Sequence, residues 1–167
     1  GVRGAANALR HWPGPMSEEA AAALARVMNA VRLAGHAAQA LRPPGYDPEV
    51  VYLVAVLQNL GRLLVQYHFP EESEQIRQLM QPVPPAQPGG AEHPGMSEES
   101  AAYAVLGVDI ESLGAAVARH WGLGDEVQHM IRRLPVNKPV RHPDSDADML
   151  RAAASAANEA VDAMTRL

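Results

Sequence analysis

Between Pro48 and Pro70 the chain reads EVVYLVAVLQNLGRLLVQYHF, and no other stretch constrains the fold as tightly. Its density of valine alone suggests a strand. Length decides otherwise: Val50 to Tyr67 is about eighteen residues without a turn signal, too long for a typical buried strand. Asp47-Pro48-Glu49 supplies a helix start, with Asp as N-cap, proline at the first helical position and an acidic first turn. Read as one helix, the run puts Leu53, Leu57, Leu60 and Leu64 in one stripe and Val51, Val54, Gly61 and Val65 in a second. Such a helix is expected to be central and covered on more than one side. In its middle stand two adjacent amides. Gln58 falls among Val51, Val54 and Val65, so it interrupts an apolar stripe. Burying it without partners would cost roughly 2 kcal/mol or more, and something must satisfy it.

Helical signals dominate elsewhere. Ser17 caps a helix with Glu18 and Glu19 in its first turn, followed by apolar residues at three- and four-residue steps to Leu41. Pro43-Pro44-Gly45 ends it. A short helix is expected after Pro70, led by Glu71 and Glu72. Residues 82–95, PVPPAQPGGAEHPG, hold five prolines and three glycines and read as a loop or linker. Ser97 opens a helix closed by Gly107, and Asp109 caps IESLGAAVARHW, which Gly122 ends. Asp125 opens EVQHMIRRL, stopped by Pro135. After a second loop, an alanine-rich helix runs from about Ala147 to Arg166. The expectation is an all-α bundle of about six to seven helices with a proline-rich loop in the middle. Thirty alanines and 4% aromatic residues suit closely packed helices.

Net charge is −5, which argues against broad binding to nucleic acid or anionic membranes. Without cysteine there is no disulfide, thiolate chemistry or Cys-ligated metal, and a reducing, cytoplasmic setting is expected. The longest apolar run, Val50 to Leu57, is far short of the ~20 residues that cross a bilayer. None of the seven histidines forms an HxxxH or HxxEH pair. His68 reads as bonding backbone carbonyls at a helix end. Asp144, Asp146 and Asp148 alternate like a calcium loop, but Met149 stands where its glycine belongs, so they read as a solvated loop whose last members cap the final helix. Arg132, Arg133, Lys138, Arg141 and His142 form a basic cluster suited to a solvated surface or to a phosphorylated or acidic partner. Lacking stacking aromatics, it makes nucleic acid the weaker option. Trp12 and Trp121 read as packing anchors. There is no GxSxG, GxxxxGK[ST] or GxGxxG.

VVYLVAVLQNLGRLLVQYHFPEE resembles the HD-superfamily signature, in which a buried helix carries adjacent His-Asp, then a hydrophobic residue, glycine and Lys or Arg. The HFPE tail narrows the resemblance to the HD-related output domain, HDOD. The block DIESLGAAVARHWGLGDEVQHMIRRL is similar to a second HDOD stretch. In the superfamily, that pair joins a His and an Asp from other helices to hold a divalent cation that activates water against a phosphoester.

The resemblance implies a depleted site. Gln58 stands at the His position and Asn59 at the Asp position. The leading His falls near Met28 and the final Asp near Asn158, and Ile110 stands where many metal-bearing relatives have His. Neutral amides supply neither anionic charge nor an imidazole nitrogen. The expectation is therefore a non-catalytic regulatory module of bacterial signalling, without a cofactor, acting on a protein partner or a fused signalling domain. Residues 1–167 are expected to form one HDOD-like domain, with GVRGAANALR resembling a mid-domain helix so that an N-terminal helical lobe would be missing. Two rivals stay open. One is a phosphohydrolase using Asn59, Asn158 and a histidine from elsewhere. The other is a nucleotide sensor binding through Gln58, Asn59, Arg62 and the basic loop residues Arg132, Arg133, Lys138 and Arg141.

Overall fold

The computed structural model describes residues 16–139 and 141–165. Eight helices are found among them: α1 (Glu18–Leu41), α2 (Pro48–Leu57), α3 (Leu60–His68), α4 (Pro70–Leu79), α5 (Glu98–Leu106), α6 (Ile110–His120), α7 (Asp125–Met130) and α8 (Asp146–Thr165). The expected caps hold. Ser17, Asp47, Ser97 and Asp109 each accept a backbone N–H of the first turn, and Gly107 and Gly122 take the left-handed conformation that ends α5 and precedes α7. At α8 the cap is Ser145, whose hydroxyl accepts from the Asp148 N–H at 3.2 Å, and the aspartates lie in the first turn instead. GVRGAANALR and Trp12 lie outside the described residues.

The expected long helix is two. It breaks at Gln58-Asn59, and α2 and α3 meet at a 48° bend. The cause is local. The Asn59 side-chain amide donates to Ala55 O at 3.0 Å, taking the acceptor that the Asn59 N–H would use in a continuous helix. That N–H moves to Val56 O at 2.9 Å, a tighter turn.

The bend divides the core. α2 packs with α1, α7 and α8 through Ala38, Val51, Val54, Ala55, Met130 and the alanines Ala153, Ala154 and Ala157. Beyond the break, Val65 packs with Ile76, Ala101, Ala102 and Ile110 of α4–α6, and Leu60 with Ala118 and Ile131. The valine stripe is therefore buried, as expected. The leucine stripe is not covered throughout: Leu60 is buried, but Leu53 is 55% exposed on the outer face of α2. Trp121 is likewise 58% exposed, so it is not the buried packing anchor expected. No single helix among the described residues is long and apolar enough to cross a membrane.

Candidate functional site

The helix break sets both amides into the interior, facing α8. Alanines line most of the buried face of α8, which brings its backbone close, and Ser155 and Asn158 are the buried polar exceptions. Gln58 Nε2 donates to Met130 O at 2.9 Å and to Ser155 Oγ at 3.1 Å, while its Oε1 accepts from Asn158 Nδ2 at 3.0 Å. Asn158 Nδ2 also donates to Ala55 O at 3.1 Å, and its Oδ1 accepts from Asn59 Nδ2 at 2.7 Å. Ser155 Oγ further accepts the Leu134 N–H at 3.1 Å.

Asn59 Oδ1 faces the other way, toward two arginines. It accepts from Arg133 Nη2 at 3.0 Å and from Arg62 Nη1 at 3.3 Å. Both guanidiniums converge on Asp162: Arg62 in a two-pronged pair at 2.8 and 3.0 Å, Arg133 at 2.6 Å. The Arg62 Nε reaches Glu98 at the start of α5, at 3.1 Å. Burial alone would push the Asp162 carboxyl up, but the hydrogen bonds and charge of Arg62, joined by Arg133, hold it down at about 2. Burial works against the Arg62 charge too, and Asp162 and Glu98 outweigh it, so its pKa is raised. Among the described residues no buried side-chain nitrogen or oxygen lacks a partner.

This donor set does not fit a divalent cation. The side-chain oxygens of Gln58, Asn59 and Asn158 already accept protein N–H groups, and the nearby carboxylate of Asp162 is committed to two guanidiniums whose charge repels a cation. Among the described residues no group of three or more His, Cys, Asp or Glu side chains is placed to hold a metal ion. Beside the amides lies a cavity of about 60 Å³, lined by Leu57, Gly61, Ile110 and Gly114 and rimmed by Arg62, Arg132 and Arg133.

Of the residues singled out from sequence, Gln58, Asn59, Asn158, Arg62 and Arg133 meet in this network, and Ile110 and Arg132 line the adjoining cavity. Met28 does not join them: it is 38% exposed on α1. Lys138 and Arg141 lie on the exposed loop before α8. His129 pairs with Asp148 at 2.7 Å, and His68 stacks edge-on against Tyr67.

Ser155, Asp162 and Glu98 belong to the network without carrying any motif in the sequence. Ser155, Asn158 and Asp162 recur at three- and four-residue steps, a polar stripe on the alanine-rich α8, and that periodicity was the available signal. Glu98 carries no such mark beyond its place in a first turn.

Comparison with curated proteins and with solved structures finds no match. The family model described as HDOD domain matches residues 16–134, more than half of the chain, and takes in both blocks that frame the amides. The chain belongs to the HDOD domain family.

Proposed function

We propose that this chain is a non-catalytic regulatory or output module of bacterial signal transduction, working in the cytoplasm through protein–protein contact. The observation that carries the reading is the closed amide network. At the positions where a hydrolase of this architecture needs open ligand atoms, Gln58, Asn59 and Asn158 spend their hydrogen-bonding capacity on one another and on the backbone. Beside the amides, Asp162 and Glu98 are already paired with arginines, and Glu111 on the cavity wall is a single carboxylate, too few ligands to hold a water-activating cation. The adjoining cavity of about 60 Å³ is also well below the ~300 Å³ at which ligand pockets begin, which weighs against nucleotide binding at the amides.

The test is direct. Protein purified without chelator is analysed for bound metal and assayed with bis(p-nitrophenyl) phosphate in the presence of Mn²⁺ or Mg²⁺. The expected result is no stoichiometric metal and no turnover. A metal-dependent phosphodiesterase activity that Gln58→Ala abolishes would overturn the reading.

A further inference from the structure

The proline-rich segment between α4 and α5 plays no part in the amide network, yet it is not a slack tether. Val83 and His93 form an antiparallel bridge, with N–H to O distances of 2.9 and 3.1 Å, and the Met96 N–H reaches Leu79 O at 2.8 Å. At the base of the loop Gly95 lies so close to the Met80 carbonyl that a Cβ there would collide with it. The loop is therefore clamped at its neck. Residues 81–94 are nevertheless all exposed.

Within it, Pro82-Val83-Pro84-Pro85 leaves the backbone little freedom. Pro82, Pro84 and Pro85 have φ fixed by their rings, and Val83 and Pro84 each precede a proline, which excludes the helical region. Val83 and Pro84 are thus held to extended or polyproline II backbone, and Pro82 and Pro85 to a φ that suits it, before any partner arrives. At three residues per turn, Pro82 and Pro85 fall on one face, one turn apart. Pro88 continues the same spacing, but the chain turns there, with the Gly90 N–H bonded to Gln87 O at 3.0 Å. Val83 adds a 57% exposed apolar side chain between the two prolines.

We propose that Pro82–Pro85 is a preformed polyproline ligand, and that the partner is a domain with an aromatic-lined groove that reads prolines spaced one turn apart. Such grooves gain affinity from a ligand with little entropy left to lose, and the clamp supplies that condition. The proposal deepens the protein-contact reading but uses a surface away from the amides.

The experiment titrates the full chain against a panel of SH3, WW and EVH1 domains, following binding by NMR. At least one domain is expected to bind, about tenfold more weakly to the double variant Pro82→Ala/Pro85→Ala and unchanged to Pro88→Ala. Circular dichroism confirms that the variants keep their helices. No binding by any domain, or binding indifferent to the double variant, would overturn the proposal. Either failure leaves the metal and phosphodiesterase results standing, so the two readings fail separately.

Discussion

Gln58 can be removed without losing every bond it touches, and that sets the size of the effect. In Gln58→Ala, Ser155 Oγ keeps the Leu134 N–H and Asn158 Nδ2 keeps Ala55 O, while Met130 O loses the side-chain donor that reaches it. Stability should fall by about 1–3 kcal/mol, read from the urea midpoint at unchanged slope. Asn59→Asp restores the charge of the superfamily pair and is more informative. The new carboxylate would still accept from Arg133, but its second oxygen would face Ala55 O and Asn158 Oδ1, both of which now accept from the Asn59 amide. Two acceptors left facing a carboxylate should destabilise the fold by about 2 kcal/mol or more, with no metal bound in exchange. Equilibrium unfolding with and without Mn²⁺ checks this, and stabilisation by Mn²⁺ would contradict it.

At the scale of elements, α3 and α6 approach one another backbone to backbone. A Cβ on Gly61 would run into the Ile110 carbonyl, and one on Gly114 would lie 2.8 Å from the Gly61 nitrogen. Backbone cannot turn aside, so Gly61→Ala should cost about 3 kcal/mol in a thermal or urea melt. Gly35→Ala should cost less, because its Cβ meets only the half-buried Tyr52 ring, which can rotate away. Capping chemistry made most helix starts legible: Ser17, Asp47, Ser97 and Asp109 each stand where a short acceptor side chain precedes an acidic or apolar turn. The break at Gln58-Asn59 was not legible, because apolar periodicity runs on through it. The Asn59 amide bonds both Ala55 O of its own backbone and Asn158 Oδ1 of α8, and the second contact, about a hundred residues away, leaves no trace in the local pattern. For the same reason Gln58 could be recognised as buried from its stripe, whereas Ser155 and Asp162 needed the fold to show what they face. The exposure of Leu53 likewise reflects which sides of α2 its neighbours cover, and periodicity alone cannot tell a covered stripe from an outward one.

Over the whole molecule, Asp162 is the point where separate parts of the bundle are tied together. It belongs to α8, while the arginines that bind it come from α3 and from the segment after α7, and Arg62 passes the link on to Glu98 of α5. The side chain is only 14% exposed, so solvent screens these pairs less than an ordinary surface bridge. A carboxyl held at about 2 in the folded protein, against an ordinary 3.8, contributes about 2 kcal/mol at neutral pH. Because the folded value is the lower one, this stability is fully present above the unfolded value and is lost as pH falls from about 5 through about 2. The carboxyls of Glu74 and Asp148 are also lowered, by their hydrogen bonds to Arg77 and His129, but they lie at the surface and add little. Asp162→Asn removes the charge at every pH and leaves Arg62 and Arg133 short of a counter-ion. Urea unfolding should therefore show the variant about 2 kcal/mol or more below the native chain at pH 7, with the gap narrowing as pH is lowered toward 2. A gap that stays constant from pH 7 to pH 2 would mean that the carboxylate holds the bundle by shape rather than by charge.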